Sequence, residues 1–328
     1  MANIYSTQSA NILEIDTGGP VTLEDDVIWL DLLNPTPEEE KGYESQLSID
    51  LPMREELKSI EPSSRLYKEN GALYMTATVV SSSLTGVPQA TAIGFILHNN
   101  RLITIRYAEP RAFKIFGNFV MRHPHEYETG PILLGGLLEA IVDRIAEVME
   151  NIGLEVDGIS SDIFASRTDK PQNMASGEKL GEALKQIALR QNLMAKIRDS
   201  LVSLGRVVRF LCLSEQVIKN HALDEQLRSV DRDITSLTDQ ASFLSNNITF
   251  LLNASLGLIS IEQNAIIKIF SVAAVAFLPP TLVASIYGMN FDNMPELHLK
   301  HGYLWALLLM VMSALVPFIY FKRKKWLN

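Results

Sequence analysis

Two stretches without a charged side chain, residues 269–287 and 302–321, limit what this 328-residue chain can become. A helix rises about 1.5 Å per residue, so each stretch reaches roughly 28–30 Å, the thickness of a bilayer's hydrocarbon core. The expected architecture is therefore a large water-exposed region followed by two membrane spans joined by a short loop. Overall composition hides this, because 47% hydrophobic and 20% charged residues is ordinary for a globular protein.

Basic residues near the span ends give the orientation. Lys268 precedes the first span, and Lys322, Arg323, Lys324 and Lys325 follow the second, whereas the loop between them holds only Lys300. The positive-inside rule then places both termini in the cytoplasm. The amino terminus, MANIYSTQSA, has neither a basic n-region nor an apolar h-region, so no cleavable export signal is expected. Tyr303, Trp305 and Trp326 stand where interfacial aromatics sit.

Of 29 basic residues, six lie at or beyond Lys268; of 38 acidic residues, only Asp292 and Glu296 do. The preceding region therefore carries thirteen surplus negative charges, which disfavours nucleic acid and suits weak divalent-cation sites. The single cysteine, Cys212, excludes an intrachain disulfide and, within VVRFLCL, reads as buried core.

The first 130 residues read as mixed α/β. VIWLDLL (Val27–Leu33) has strand composition, and Thr36-Pro37 with Glu39 forms a capping box that opens a helix. Residues 65–68 and 72–80 around Asn70-Gly71 predict a type I′ hairpin; 91–97 and 102–107 around Asn99-Asn100 predict another. Residues 132–163 and 178–215 have helical periodicity. Leu223, Leu227, Val230, Ile234, Leu237, Ala241, Leu244, Ile248, Leu251 and Ser255 then alternate four- and three-residue steps, a heptad pattern that Leu258 continues. With no glycine–proline break before Lys268, one helix of about sixty residues is expected to run into the first span. Two readings of the heptad stand: packing against the chain's own helices, or a stalk that couples the cytosolic region to the membrane. Pro279-Pro280 within the span removes the helical partners of the Val275 and Ala276 carbonyls, so a neighbouring helix or water must lie at that depth.

Between the spans stand Tyr287-Gly288-Met289-Asn290 and Met294-Pro295-Glu296-Leu297, after FLPPTLVAS and before the basic end KRKKWL. With these motifs the chain resembles the CorA magnesium-transport family, most closely from Glu262 onward and more loosely through Trp29-Leu30-Asp31-Leu32 and Glu61-Pro62-Ser63-Ser64-Arg65. The resemblance implies an α+β fold: an N-terminal mixed α/β cytosolic domain (1–130), a helical bundle and coiled stalk helix (131–267), two transmembrane helices (268–288 and 302–321), a periplasmic loop (289–301) and a basic tail (322–328). It implies a funnel-shaped homopentamer in the cytoplasmic (inner) membrane, conducting Mg²⁺ inward and gated by cytosolic Mg²⁺. Gly288, Met289 and Asn290 would form the selectivity filter, with Asn290 accepting hydrogen bonds from the water around a hydrated Mg²⁺ and Gly288 letting the backbone turn. Asp292 and Glu296 would concentrate cations at the outer mouth. Helical spacing back from Asn290 predicts a pore-facing stripe of Ser285, Thr281, Leu278, Ala274, Phe270, Ile267 and Asn264; the rival is that this stripe packs on the second span. Leu278 and Phe270 would form an apolar constriction that closes by dewetting.

The nearest alternative ions are Zn²⁺, Co²⁺ and Ni²⁺, and Met289 sides with magnesium; a membrane-anchored coiled-coil sensor is the alternative from another class. Asp224, Glu225, Asp231, Asp233 and Asp239 lie on the stalk, yet no motif singles out a regulatory metal site among them. His123, His125, His298 and His301, and the pair Ser176 and Lys179, lack the partners that a metal or nucleophile site needs. No enzymatic constellation is expected.

Overall fold

The structure, a computed structural model, describes residues 2–6, 13–15, 22–24, 26–58, 65–82, 88–165, 175–289 and 300–324. The chain divides into two compact units, residues 1–252 and 253–328.

The first unit opens with a seven-stranded sheet. Its strands are β1 (Ala2–Ser6), β2 (Leu13–Ile15), β3 (Val27–Leu33), β4 (Leu66–Glu69), β5 (Ala72–Ser82), β6 (Pro88–His98) and β7 (Arg101–Arg106), in the order β2-β1-β3-β7-β6-β5-β4. Only β3 and β7 run parallel. Both expected hairpins form. Asn70 (φ 47°) with Gly71 (φ 80°), and Asn99 (φ 46°) with Asn100 (φ 69°), supply the two positive φ values that a type I′ turn requires. The strands β1 and β2, which precede the first apolar run, escaped the sequence reading.

VIWLDLL is buried at all seven positions, because helices cover both faces of β3. On one face Leu30 and Leu32 join Tyr43 and Leu47 of α1 (Pro37–Leu47), Leu57 of α2 (Arg54–Leu57), and Tyr74, Ile96, Ile103 and Ile105 of the sheet. On the other, Trp29 stacks on Tyr5 at 4.2 Å and meets Phe113 and Phe116 of α3 (Arg111–Arg122). The α1 capping box is intact: Glu39 N donates to Thr36 Oγ1 at 3.3 Å, and Thr36 N donates to Glu39 Oε2 at 2.9 Å. Thr36→Ala is therefore expected to cost about 1 kcal/mol, read as a small fall in the thermal midpoint of the detergent-solubilised protein.

Between the faces lies a charge that the sheet interior would not tolerate alone. Asp31 Oδ1 accepts from Arg106 Nε at 2.9 Å and Thr104 Oγ1 at 2.8 Å, while its Oδ2 accepts from Arg106 at 2.8 Å and Asn3 Nδ2 at 3.0 Å. Trp29 Nε1 donates to Thr104 Oγ1 at 3.0 Å, and the Arg106 guanidinium lies over the Phe113 ring. The partners arrive from β1 and β7, so the network closes only when β1, β3 and β7 are paired.

Three long helices follow: α4 (Gly130–Ala165), α5 (Ala175–Cys212) and, after the short α6 (Glu215–Ile218), α7 (His221–Tyr287). α5 lies along β5, where Thr78 N donates to Ser203 Oγ at 2.9 Å. The heptad residues Leu223, Leu227, Val230, Ile234, Ala241, Leu244, Ile248 and Leu251 are all buried within the chain. Leu223 and Leu244 come closest to the glycine positions Gly135 and Gly153 on α4, and Ile234 to Gly205 on α5. At Gly135 a Cβ would stand 2.8 Å from a Leu223 methyl, so a larger residue there would displace that side chain. Of the two heptad readings, packing on the chain's own helices accounts for this seam. Cys212 departs from expectation: it is half-exposed at the end of α5 rather than core, although burial still pushes its thiol up.

In the second unit α7 continues to Tyr287, with Pro279 and Pro280 inside it, and α8 (Gly302–Arg323) follows. α7 is one element of 67 residues, close to the sixty expected.

Candidate functional site

The residues singled out as a stripe lie on α7, Asn264 and Ile267 just before the span and the rest within it, and all are exposed, as are Ile266, Ile269, Phe277, Leu282 and Ile286 off the stripe. Ile267 is 60% exposed, Phe270 72% and Leu278 66%, and Asn264, Ala274, Thr281 and Ser285 are exposed as well. At about 100° of rotation per residue, the six from Ile267 to Ser285 fall within a band of about 80°, and Asn264 lies beside it. The half-covered residues of this part of α7 are Ser271, Val272, Ala273, Val275, Ala276, Pro279, Pro280, Val283 and Tyr287, spread over more than half of the helix circumference. On α8 the shielded positions are Gly302, Ala306, Met310, Ser313, Ala314, Pro317 and Phe321, mostly small side chains of the kind enriched where membrane helices pack.

The chemistry of the stripe is mixed. Phe270 and Leu278 are apolar, Asn264 brings an amide, and Thr281 and Ser285 bring hydroxyls. Thr281 Oγ1 donates to the Phe277 carbonyl at 2.7 Å. With its proton committed to the backbone, that oxygen presents only lone pairs outward, which suits the water shell of a cation. The carbonyls of Val275 and Ala276, four residues before the prolines, have no helical N–H partner.

α7 ends where the motif begins. Gly288 N donates to Ala284 O at 2.9 Å and Met289 N to Ile286 O at 3.3 Å. Gly288 does not adopt a positive φ, so the expectation that it lets the chain turn finds no left-handed backbone here. Met289 is 46% exposed. Asn290, Asp292 and Glu296 lie outside the described residues, as do Met294, Pro295, Leu297 and His298.

The stalk carboxylates are largely engaged. Arg228 Nε donates to Asp224 at 2.8 Å, Arg209 pairs with Asp231 at 3.0 Å, and His221 lies 3.7 Å from Glu225. Asp233 stands near Asp143 and Glu139 of α4; burial first, then these two neighbours, raise the Asp143 carboxyl above the ordinary range. Glu139 also accepts from Gln226 at 2.6 Å. Among the described residues, no three His, Cys, Asp or Glu side chains converge on a position that would hold a metal ion. His123 instead stacks on Phe119 at 4.4 Å.

A family model described as "CorA-like Mg2+ transporter protein" matches residues 24–323. The chain belongs to the CorA family. Relatives include the magnesium transport protein CorA of Haemophilus influenzae, 35% identical over 331 residues and covering 100% of both chains. The magnesium transport protein CorA of Salmonella typhimurium is 35% identical over 306 residues, 92% of each chain. Among solved structures, the CorA magnesium transporter of Methanocaldococcus jannaschii superposes with a TM-score of 0.75 at 19% identity, covering 99% of this chain and 98% of its own. That likeness establishes the fold of this CorA-family chain: an N-terminal mixed sheet domain, long helices, and two C-terminal apolar helices that fit a membrane protein.

What the sequence missed was a second pair of positions on α7. Phe243 and Phe250 are 63% and 64% exposed, while the adjacent Leu244 and Leu251 are buried in the seam. Two phenylalanines a heptad apart but outside the seam register were the available signal.

Proposed function

We propose that the chain is a Mg²⁺ channel of the cytoplasmic membrane. It works as a homopentamer in which the stripe on α7 lines the pore and α8 lies outside it. Relatives that match it along 92–100% of their length are named magnesium transport proteins. The observation that carries the reading is the band of about 80° that holds Ile267, Phe270, Ala274, Leu278, Thr281 and Ser285, all exposed, and so sets two hydroxyls on a helix whose residues 269–287 carry no charge. Hydroxyls and amides have no stable place against lipid. Turned toward a shared axis, the same groups meet water and ions instead.

In this reading residues 268–288 and 302–321 cross the bilayer, both termini are cytoplasmic, and residues 289–301 face outward. Mg²⁺ dehydrates reluctantly, so a filter that binds the ion through its water conducts faster than one that strips it. A ring of Asn290 side chains supplies acceptors for that water at the mouth, beside Gly288 and Met289. Asp292 and Glu296 raise the local cation concentration. Phe270 and Leu278 close the path by excluding water when the helices draw together. Cytosolic Mg²⁺ between subunits holds that closed arrangement.

Flux in reconstituted vesicles tests the reading. Mg²⁺ entry is expected, blocked by hexaamminecobalt, which mimics the hydrated ion. Zn²⁺, Co²⁺ and Ni²⁺ serve as competitors, and entry of Zn²⁺ without Mg²⁺ would shift the assignment to another metal. Vesicles that pass no divalent cation, with the protein assembled in them, would leave only the sensor reading.

A further inference from the structure

We propose that the cleft between α2 and the edge hairpin β4–β5 is a binding site for a small aliphatic diamine, its ammonium groups held by carboxylates and its methylenes by apolar and aromatic side chains. The site lies within the first unit, and the inference stands apart from the channel reading.

Cross-strand register builds one wall. Tyr67 of β4 pairs with Tyr74 of β5, and Tyr74 with Ile96 of β6, so the three share one face of the sheet. The two tyrosine rings stack at 4.6 Å, 5° from parallel. On this face α2 settles over β6, where Gly94 leaves it room: a Cβ there would stand 3.0 Å from Leu57 and 3.7 Å from Pro52. With only four residues, α2 is a single turn. A cavity of about 370 Å³ remains between it and the tyrosine pair, walled by Pro52, Glu56, Leu57, Tyr67, Tyr74 and Ile96 among others. Small-molecule sites begin at about 300 Å³.

The cavity carries one sign of charge. Glu56 enters from α2, with its Oε2 accepting from Met53 N at 2.9 Å. Burial first, then the charges of Glu69, Glu56 and Asp50, raises the Tyr67 phenol above its ordinary range; burial, then Tyr67, Asp50 and Glu69, pushes that of Tyr74 up to about 12. Both hydroxyls therefore stay protonated at neutral pH, and three carboxylates set the local potential. Among the described residues no basic side chain lines the cavity. Arg54 lies over the Tyr107 ring instead, and Lys68, between Tyr67 and Glu69, alternates onto the other face of β4.

A cation on an apolar frame satisfies all of these groups together. Tyrosine rings and carboxylates attract an ammonium group, while Pro52, Leu57 and Ile96 take methylenes out of water. Glu56 on α2 and Glu69 on β4 stand on the two elements that border the cleft, which favours an ammonium group at each end. A hydrated metal ion would gain nothing from the apolar walls, and the one carboxylate in the lining gives it too few oxygens.

Calorimetric titration of butane-1,4-diamine into the full-length protein in detergent, with Mg²⁺ in excess to fill general cation sites, tests the assignment. Saturable binding at one site per chain is expected, and weaker binding of butylamine, which has a single ammonium group. Glu56→Gln removes the charge but keeps an acceptor for Met53 N, so the fold is retained and diamine affinity should fall about fivefold, the scale of one lost ion pair at an exposed site. Tyr67→Leu should weaken binding as well, through the lost ring. Glu150→Gln, an exposed carboxylate on α4, is expected to bind as the parent protein does. Absence of saturable binding to the parent, affinity untouched by Glu56→Gln, or equal weakening by Glu56→Gln and Glu150→Gln would each overturn the site. Butylamine binding as tightly as the diamine would overturn the assignment of a two-headed ligand.

Discussion

Asn290→Ala is expected to reduce Mg²⁺ uptake to the level of protein-free vesicles, with the oligomer still eluting at its original size. The reason lies in the energetics of the hydrated ion. Mg²⁺ keeps its water, so discrimination at the mouth depends on acceptors placed for first-shell water and not on direct ligands. An amide carbonyl accepts such hydrogen bonds without adding a charge that would trap the ion. Alanine removes the acceptor from every copy at once, and the loss multiplies around a ring. In sequence Asn290 lies between α7, which ends at Tyr287, and α8, which begins at Gly302. Uptake that survives the substitution, in vesicles or in cells dependent on this protein for Mg²⁺, would remove Asn290 from the filter. Asn290→Asp is the informative companion. A ring of carboxylates still accepts from water but holds the ion more tightly, so flux should fall while block by hexaamminecobalt strengthens.

The second large effect is on stability. Arg106→Met is expected to cost about 3–5 kcal/mol, because it leaves the Asp31 carboxylate buried without its counter-charge. Asp31 is 1% exposed and Arg106 6%, so neither has water to fall back on. Asn3 and Thr104 would still donate to the carboxylate, yet neither neutralises it. The double variant Asp31→Leu with Arg106→Met should recover most of the loss, since a buried pair replaced by apolar groups of similar volume is close to neutral. Near-UV circular dichroism of the full-length protein in detergent provides the readout through the stacked Trp29 and Tyr5 rings. A single variant that melts with the parent would show the network to be dispensable.

Some of this molecule was legible directly. The Asn70-Gly71 and Asn99-Asn100 turns, the Thr36 capping box and the long α7 follow from local rules: positive φ, a reciprocal side-chain bond and unbroken periodicity each act over a few residues. The Asp31–Arg106 network was not legible, although Asp31 within VIWLDLL and Arg106 ending LITIR were visible oddities. Their pairing spans 75 residues and depends on the parallel union of β3 with β7, which local pattern does not encode. Cys212 was misjudged for a related reason: its apolar neighbours are buried, while its own position falls at the helix end and stays half-exposed.

The sequence by itself determined that two apolar spans close the chain, that the preceding region is acidic, and that the span-ending motif is the one the CorA family carries. Those properties are sums or short patterns, independent of how distant segments meet. Only the tertiary structure decided which face of α7 is used by its own chain and which is left free. The leucine heptad read equally as a seam with the chain's own helices and as a stalk coupled to the membrane, and the burial of Leu223, Ile234 and Leu244 beside α4 and α5 accounts for it by the first. With that side filled, residues beside the seam, Phe243 and Phe250 among them, are left exposed.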